Sequence, residues 1–436
     1  MSDLHRGESC VTRRPCVAVA AICLFSFAIG CSTQPDFDLI IRGGTVYDGT
    51  GELPGVRRAD VGVTGDRIRA IGDLSARRAP VVIEANGKVV APGFIDAQSR
   101  SGLTLLADGS GENHLRQGIT SEILADGSPA LWTAATADPP ALQRYNLTLD
   151  WSGLGGYFTN LESRGTAINA GTLVPLSVAR AAGDRNAFID AAMRDGAFGI
   201  VDDVHAGEQE VSAAAAIAGR YGGVVMVHAD SEVAATDAAV VAVGSQARRL
   251  IIADLSHAPA SHPAPEMITR ILRVIARMTY VLGTMTPYPA AQGEPDTAVR
   301  ETMKFGGTVI VTDSGTMKDS TAASGIHPAA FGAFPRLLAL ARDAHLMELR
   351  EAVRRATSTP ATLYQIQERG FVRESYFADL VVFDPQTISD RATFEKPNQY
   401  PVGIEYVIVN GVVELTPRGL TGSRAGSRLL RRPPSR

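Results

Sequence analysis

Beyond residue 31 the chain has no cysteine. Its four cysteines are Cys10, Cys16, Cys23 and Cys31. That excludes a disulfide scaffold and a thiolate metal site from the folded part. Lysine is nearly as scarce: Lys88, Lys304, Lys318 and Lys396 are the whole set, so almost all of the 42 basic residues are arginine. A surplus of basic charge is missing too. With 46 acidic residues against 42 basic ones the formal charge is −4, which argues against nucleic acid as a partner. Internal repeats and low-complexity linkers are absent. What is present is 45% hydrophobic residues, 43 Gly and 24 Pro in 436 residues. That excludes a coiled coil, a collagen-like chain and a disordered polymer. The length suits one large barrel-type domain with a satellite, or two to three ordinary domains.

Residues 1–30 read as an address. Arg13 and Arg14 precede an apolar run, PCVAVAAICLFSFAIG, that ends at Cys31. A basic start, an apolar core and small residues at the end make a secretory signal. Ala28-Ile29-Gly30-Cys31 resembles the bacterial lipobox, with Ala28 where Leu is usual. The resemblance implies that Cys31 is acylated and becomes the mature N-terminus. The other reading is a single anchoring helix, but the run is short against the ~20 apolar residues that a bilayer needs. Ser32 suits onward sorting to an outer membrane. The expected location is therefore the cell envelope, facing the periplasm or exterior, with membrane contact through the lipid anchor only.

Residues 36–47, 59–72 and 81–93 are short strand-like runs punctuated at Gly43-Gly44, Gly65-Asp66 and Asn86-Gly87. The texture then changes. GFIDA, ITSEILAD, FGIVDD, VVMVHAD, LIIADLSH and VIVTDS are buried-type runs ending in polar residues, with helix-like stretches such as 208–220 and 263–276 between several of them. Continuous apolar strands alternating with helices predict a parallel sheet. Polar residues at successive strand ends predict a (β/α)8 TIM barrel with its site at that face. After residue 365 the strand-and-turn texture returns, with a turn at Asn410-Gly411. The expected organisation is a signal over 1–30, a β-sandwich part over 31–90, the barrel over 91–364, and a second β-sandwich part with a tail over 365–436. The basic tail, RLLRRPPSR, is expected to fray, and Asp379 and Asp384 to act as turn and cap residues.

The strand ends carry Gln98 and Arg100, Asp126, His228, His257 and Asp313. Two imidazoles and a carboxylate suit Zn²⁺, and a further carboxylate suits a general base. One such histidine alone reads as an ordinary hydrogen-bonded side chain; several aimed at one barrel mouth read as a site. His114 and His345 fall in helical surface patterns. His205, His262 and His327 could line the mouth but show no partner in the sequence.

At this point the chain resembles the N-acyl-D-amino-acid deacylases (D-aminoacylases) of the amidohydrolase superfamily. The pieces that carry the resemblance are IRGGTVYDGTG, VVAPGFIDA, RQGITSEIL, GGVVMVH, LSHA, TPYPAA and VTDSG, then HPAAFGAFPRLLAL, EAVRRATSTPATLY, ERGFVRESYFADLVVFDP and RATFEKPNQYPVGIEYVIVNG. The resemblance implies a distorted (β/α)8 barrel of metal-dependent hydrolase type, with a small β-sandwich made by both chain ends. It implies His228 and His257 as metal histidines, Asp126 as the acidic ligand and Asp313 as the general base. Tyr288, in TPYP, matches a position near the substrate. A carboxylated lysine bridge is excluded, because none of the four lysines lies between residues 89 and 303.

The departures matter as much. Where the superfamily places His-x-His after GFID, this chain reads Ala97-Gln98-Ser99-Arg100. A guanidinium cannot ligate a cation, so one metal, Zn²⁺ by ligand type, is expected rather than two. Arg100 is expected to bind substrate and stabilise the oxyanion. The basic residue after the strand-6 histidine is replaced by Ala258 and Pro259, and the Arg after the strand-5 histidine by Asp230. Two readings follow. One is a one-metal hydrolase of a non-peptide C–N bond in a small N-acylated amino acid or related amide. The other is a catalytically inactive, lipid-anchored binding or scaffold protein. Retention of Asp126, His228, His257 and Asp313 favours the enzyme.

Overall fold

The computed structural model describes residues 35–125, 127–134, 136–204, 206–228, 249–255, 280–289, 291–293, 297–304, 306–318 and 325–432. The address, with Cys31, lies outside them. No helix among the described residues is long and apolar enough to cross a membrane.

Both chain ends build one nine-stranded sheet. Its first part is β1 (Leu39–Tyr47), β2 (Val56–Thr64), β3 (Arg67–Gly72), β4 (Val81–Glu84) and β5 (Val89–Pro92). Its last part is β15 (Leu380–Phe383), β16 (Ile404–Val409), β17 (Val412–Thr416) and β18 (Gly419–Leu420), joined where β15 pairs antiparallel with β5. The turns are where the glycines predict them. Asn410 and Gly411 have φ of 48° and 81°, the positive pair that a two-residue hairpin between β16 and β17 requires. Leu39, Ile41, Val61, Val63, Ile68, Val90, Leu380, Val382 and Ile408 form its buried core.

Between the two parts run the parallel strands: β6 (Phe94–Ser99), β7 (Ile119–Leu124), β8 (Asn169–Thr172), β9 (Val174–Pro175), β10 (Gly199–Asp202), β11 (Val224–His228), β12 (Arg249–Ala253), β13 (Tyr280–Met285) and β14 (Thr308–Ile310). They stand in two arcs, β6-β7-β8 and β9 through β14 in chain order. β8 and β9 are one run interrupted at Leu173, whose N–H reaches the carbonyl of Leu124. Helices such as Glu208–Arg220 and Ala329–Asp343 lie between strands. Along β11 and β12 alternate residues feed different cores. Val224, Met226, Ile251 and Ala253 join one, and Val225, Val227, Leu250 and Ile252 the other. That is the period-2 pattern of strands buried on both faces. Phe94 of β6 stacks on Phe334 at 5.7 Å, seating the helix Ala329–Asp343 against the first strand.

The C-terminal tail does not fray where it is described. Ser427 and Leu429 hydrogen-bond to both sides of Ala170 in β8, at 3.0 and 2.8 Å, and Leu429 is 1% exposed. Arg428 and Arg431 lie over the rings of Phe158 and Tyr221. The sequence expectation weighed the charge of RLLRRPPSR and missed that arginine stems and planes pack on aromatic faces. Asp379 is likewise more than a turn residue. It is 4% exposed and accepts from Arg369, from Asn169 Nδ2 at 3.1 Å and from the Asn410 N–H at 2.8 Å.

Candidate active site

The site forms where the first and last parallel strands meet. Thr312, just past β14, turns its N–H and hydroxyl to the Asp96 carboxylate of β6, and Arg100 N–H bonds to Ser314 carbonyl at 3.0 Å. Asp313 sits between these two ties with φ of 48°, and Asp254, one residue past β12, has φ of 61°. Left-handed backbone in a residue with a Cβ persists only where its surroundings over-determine it.

Arg100 grips Asp313 with two hydrogen bonds: Nε to Oδ1 at 2.9 Å and Nη2 to Oδ2 at 3.2 Å. Gln98, fully buried, donates from Nε2 to the same Oδ1 at 3.2 Å and to Asp254 Oδ1 at 3.2 Å. Its amide orientation is set by the Thr284 hydroxyl, which donates to Oε1 at 2.8 Å while accepting the Asp254 N–H. The Gln98 carboxamide thus spans two carboxylates 59 positions apart in sequence, which no local pattern could announce.

His228 closes β11. Its Nδ1 lies 3.0 Å from the carbonyl of Asp202, and a carbonyl only accepts, so Nδ1 carries the proton. The other nitrogen, Nε2, faces Asp254 Oδ2 at 3.5 Å. A backbone carbonyl that fixes the tautomer is the support that metal-binding imidazoles have, so His228 fits a metal ligand. Asp126 and His257 lie outside the described residues. Among the described residues alone, no group of three or more His, Cys, Asp or Glu is placed to hold an ion.

Tyr288 is 3% exposed, and its hydroxyl donates to Asp390 Oδ2 at 2.7 Å under the guanidinium of Arg336. Burial first, then the Asp390 charge, drives its ionisation far above the ordinary range. It is therefore a neutral donor whose hydrogen bond is already placed. His327 takes the Ala329 N–H on Nδ1 and faces the Pro289 carbonyl with Nε2.

Sequence reasoning misplaced His114. It is fully buried, not on a helical surface. Its helix, Glu112–Leu115, is a single turn, too short to carry a surface pattern. His114 Nδ1 lies 3.0 Å from Glu122 Oε2, which also accepts from Ser99 and Ser101 at 2.9 Å. The available signal was Glu122 itself, a charge inside the apolar run ITSEIL that burial obliges to find partners.

Behind Asp313, burial pushes the Asp96 carboxyl up to about 7, against the pull of His114 and Thr312. The folded value is raised above the unfolded one. Its stabilisation is therefore complete below the unfolded value and is lost as pH rises through about 7. Asp96→Asn cannot ionise. Relative to wild type, its unfolding free energy should gain up to roughly 4 kcal/mol between pH 4 and pH 8. Urea midpoints across that range test it; a pH-independent difference would show that Asp96 ionises without cost.

A family model described as the amidohydrolase family matches residues 120–413. The D-aminoacylase of Alcaligenes xylosoxydans xylosoxydans is 32% identical over 92% of this chain and 98% of its own length. The crystal structure of a D-aminoacylase superposes with a TM-score of 0.78 at 28% identity, covering 91% of this chain and all of the other. An N-acyl-D-glutamate deacylase from Bordetella bronchiseptica, solved with zinc and a phosphonate mimic of the tetrahedral intermediate, gives a TM-score of 0.77 at 26% identity over 91% of this chain and 100% of its own.

Proposed function

The chain belongs to the amidohydrolase family, and from that premise we propose that it removes the acyl group from an N-acylated amino acid with one divalent metal ion. It is a metal-dependent hydrolase of carbon–nitrogen bonds other than peptide bonds, with the family's α/β barrel fold. Its relatives are named D-aminoacylase and N-acyl-D-glutamate deacylase, which makes N-acyl-D-amino acids the first compounds to try.

The observation that carries the one-metal reading is the bidentate pairing of Arg100 with Asp313. A guanidinium stands in the place where the family's second metal histidine would be, and two like charges that close repel. His228, with His257 and Asp126, would hold the single ion, and Zn²⁺ suits nitrogen and carboxylate donors. When bound, such an ion polarises the scissile carbonyl and makes water nucleophilic near neutral pH.

The chain's own groups then divide the remaining work. Among the described residues, Asp313 Oδ1 accepts from both Gln98 and Arg100, which fills its lone pairs, whereas Oδ2 accepts only from Arg100 Nη2. Oδ2 is therefore the atom that receives the water proton and delivers it to the leaving nitrogen. Protonation removes the charge that holds Arg100, so the guanidinium can turn to the developing oxyanion. On this reading acylated Cys31 keeps the enzyme at the cell envelope, facing outward.

The test is elemental analysis of purified protein and of His228→Ala, alongside a screen of N-acyl-D- and L-amino acids followed by release of the free amine. About one zinc per chain, lost in the variant, with amine released from one enantiomeric series, is the expected result. Two metals per chain would overturn the reading of Gln98 and Arg100. No metal after zinc is supplied, and no hydrolysis, would favour a binding protein.

A further inference from the structure

Asp254 has no role in the resemblance or in the family assignment, yet it occupies the centre of the site. His228 and Asp254 end neighbouring strands, with His228 in register opposite Ala253. The His228 proton is on Nδ1, directed at the Asp202 carbonyl. The other ring nitrogen, Nε2, lies 3.5 Å from Asp254 Oδ2. A positive centre shared by an imidazole nitrogen and a carboxylate oxygen at that range is either a second imidazole proton or a metal ion.

The separation discriminates between these. An N–H···O hydrogen bond to a carboxylate spans about 2.7–2.9 Å. Two ligands of one tetrahedral zinc, each about 2.0–2.1 Å from the ion, stand roughly 3.3–3.4 Å apart. The observed 3.5 Å is longer than the first and close to the second.

The carboxylate is also held as a ligand carboxylate would be. Its far oxygen, Oδ1, accepts from the buried Gln98 amide, and its backbone N–H donates to the Thr284 hydroxyl that orients the same amide. These contacts hold Asp254 at its left-handed φ of 61° and keep Oδ2 toward His228. Outer hydrogen bonds of this kind tune and orient metal ligands.

We propose that Asp254 is a ligand, through Oδ2, of the same metal ion that His228 holds. The proposal rests on the one-metal reading above. It adds an acidic ligand from the strand that precedes His257, and it gives Gln98 the task of spanning that ligand and the base Asp313. A donor set of imidazoles and carboxylates without thiolate accepts Zn²⁺, Co²⁺ or Mn²⁺, so cobalt serves as a spectroscopic probe.

The experiment uses the full chain. Zinc affinity of wild type and Asp254→Asn is measured by competition with a chromophoric chelator. Asp254→Cys is loaded with Co²⁺ and its absorption compared with wild type, whose own cysteines, all at or before Cys31, set the baseline. The expected results are at least about a 100-fold loss of zinc affinity in Asp254→Asn and a thiolate-to-cobalt charge-transfer band in Asp254→Cys. Zinc binding in Asp254→Asn within threefold of wild type, with no new band in Asp254→Cys, would overturn the proposal and leave the hydrolase reading standing. Should Asp254→Asn fail to fold, the cobalt spectrum alone decides. Wild type that binds no zinc at all would bring down the one-metal reading, and this proposal with it.

Discussion

Replacing Asp313 by Asn should lower kcat by about 10²- to 10⁴-fold, the usual contribution of a positioned general base. The reasoning is atomic. Among the described residues, Gln98 and Arg100 take Oδ1 of Asp313, and Oδ2 alone has a lone pair to spare. An Asn amide placed with its oxygen at the Oδ1 position keeps both of those hydrogen bonds. Its nitrogen then stands at the Oδ2 position, where it cannot accept a proton and meets the Arg100 Nη2 donor head-on. Proton transfer is lost while most of the geometry survives. The measurement is kcat and KM at several pH values, with metal content determined on the same samples. KM should move little. A drop of less than tenfold would mean that another group accepts the proton. A variant that has lost its metal would instead make Asp313 a ligand.

Arg100 separates two roles in the same assay. Arg100→Met removes both the grip on Asp313 and the charge offered to the oxyanion, so kcat should fall while His228 still holds its ion. The sequence could point to Arg100 because it stands where histidine was expected, but it could not show what the guanidinium touches. Arg100 and Asp313 lie 213 positions apart, and Gln98 and Asp254 lie 156 apart. The strand ends that carry these residues were legible, since each buried apolar run stops at a polar residue, and so were the hairpins marked by Asn410-Gly411 and Gly65-Asp66. The pairing between strand ends was not, because it is set by the order and twist of the sheet. Asp254 shows the limit. It sits in LIIADLSH, three residues before His257, and a reading that looks for metal-binding residue types took the histidine and passed over the carboxylate. His114 shows the converse. A one-turn helix was read as surface, when Glu122, set in the apolar run of β7, required a buried partner and has it in His114.

Cutting the Arg369–Asp379 pair should cost stability as severely as losing the base costs turnover. Both side chains are 4% exposed, and Asp379 joins three parts of the chain. It takes Arg369 and the Asn169 amide on Oδ2 and the Asn410 N–H on Oδ1, while its own carbonyl accepts the Gly93 N–H. Asn169 opens β8, Gly93 immediately precedes β6, and Asn410 is the hairpin of the nine-stranded sheet. The pair therefore fastens the sheet to the N-terminal ends of the parallel strands, the face that serves stability in such barrels. Arg369→Leu removes the guanidinium, which also lies over the Phe377 ring, and strands a buried carboxylate, which typically costs about 3–5 kcal/mol. Urea unfolding should show that loss with an unchanged slope. The folded fraction should keep its metal content and a kcat within a few-fold of wild type, because Asp313 and His228 lie at the opposite, C-terminal ends of their strands. A large fall in kcat at full metal loading would mean that the two ends of the barrel are mechanically coupled, and that Asp379 belongs to the machinery of the reaction rather than to its frame.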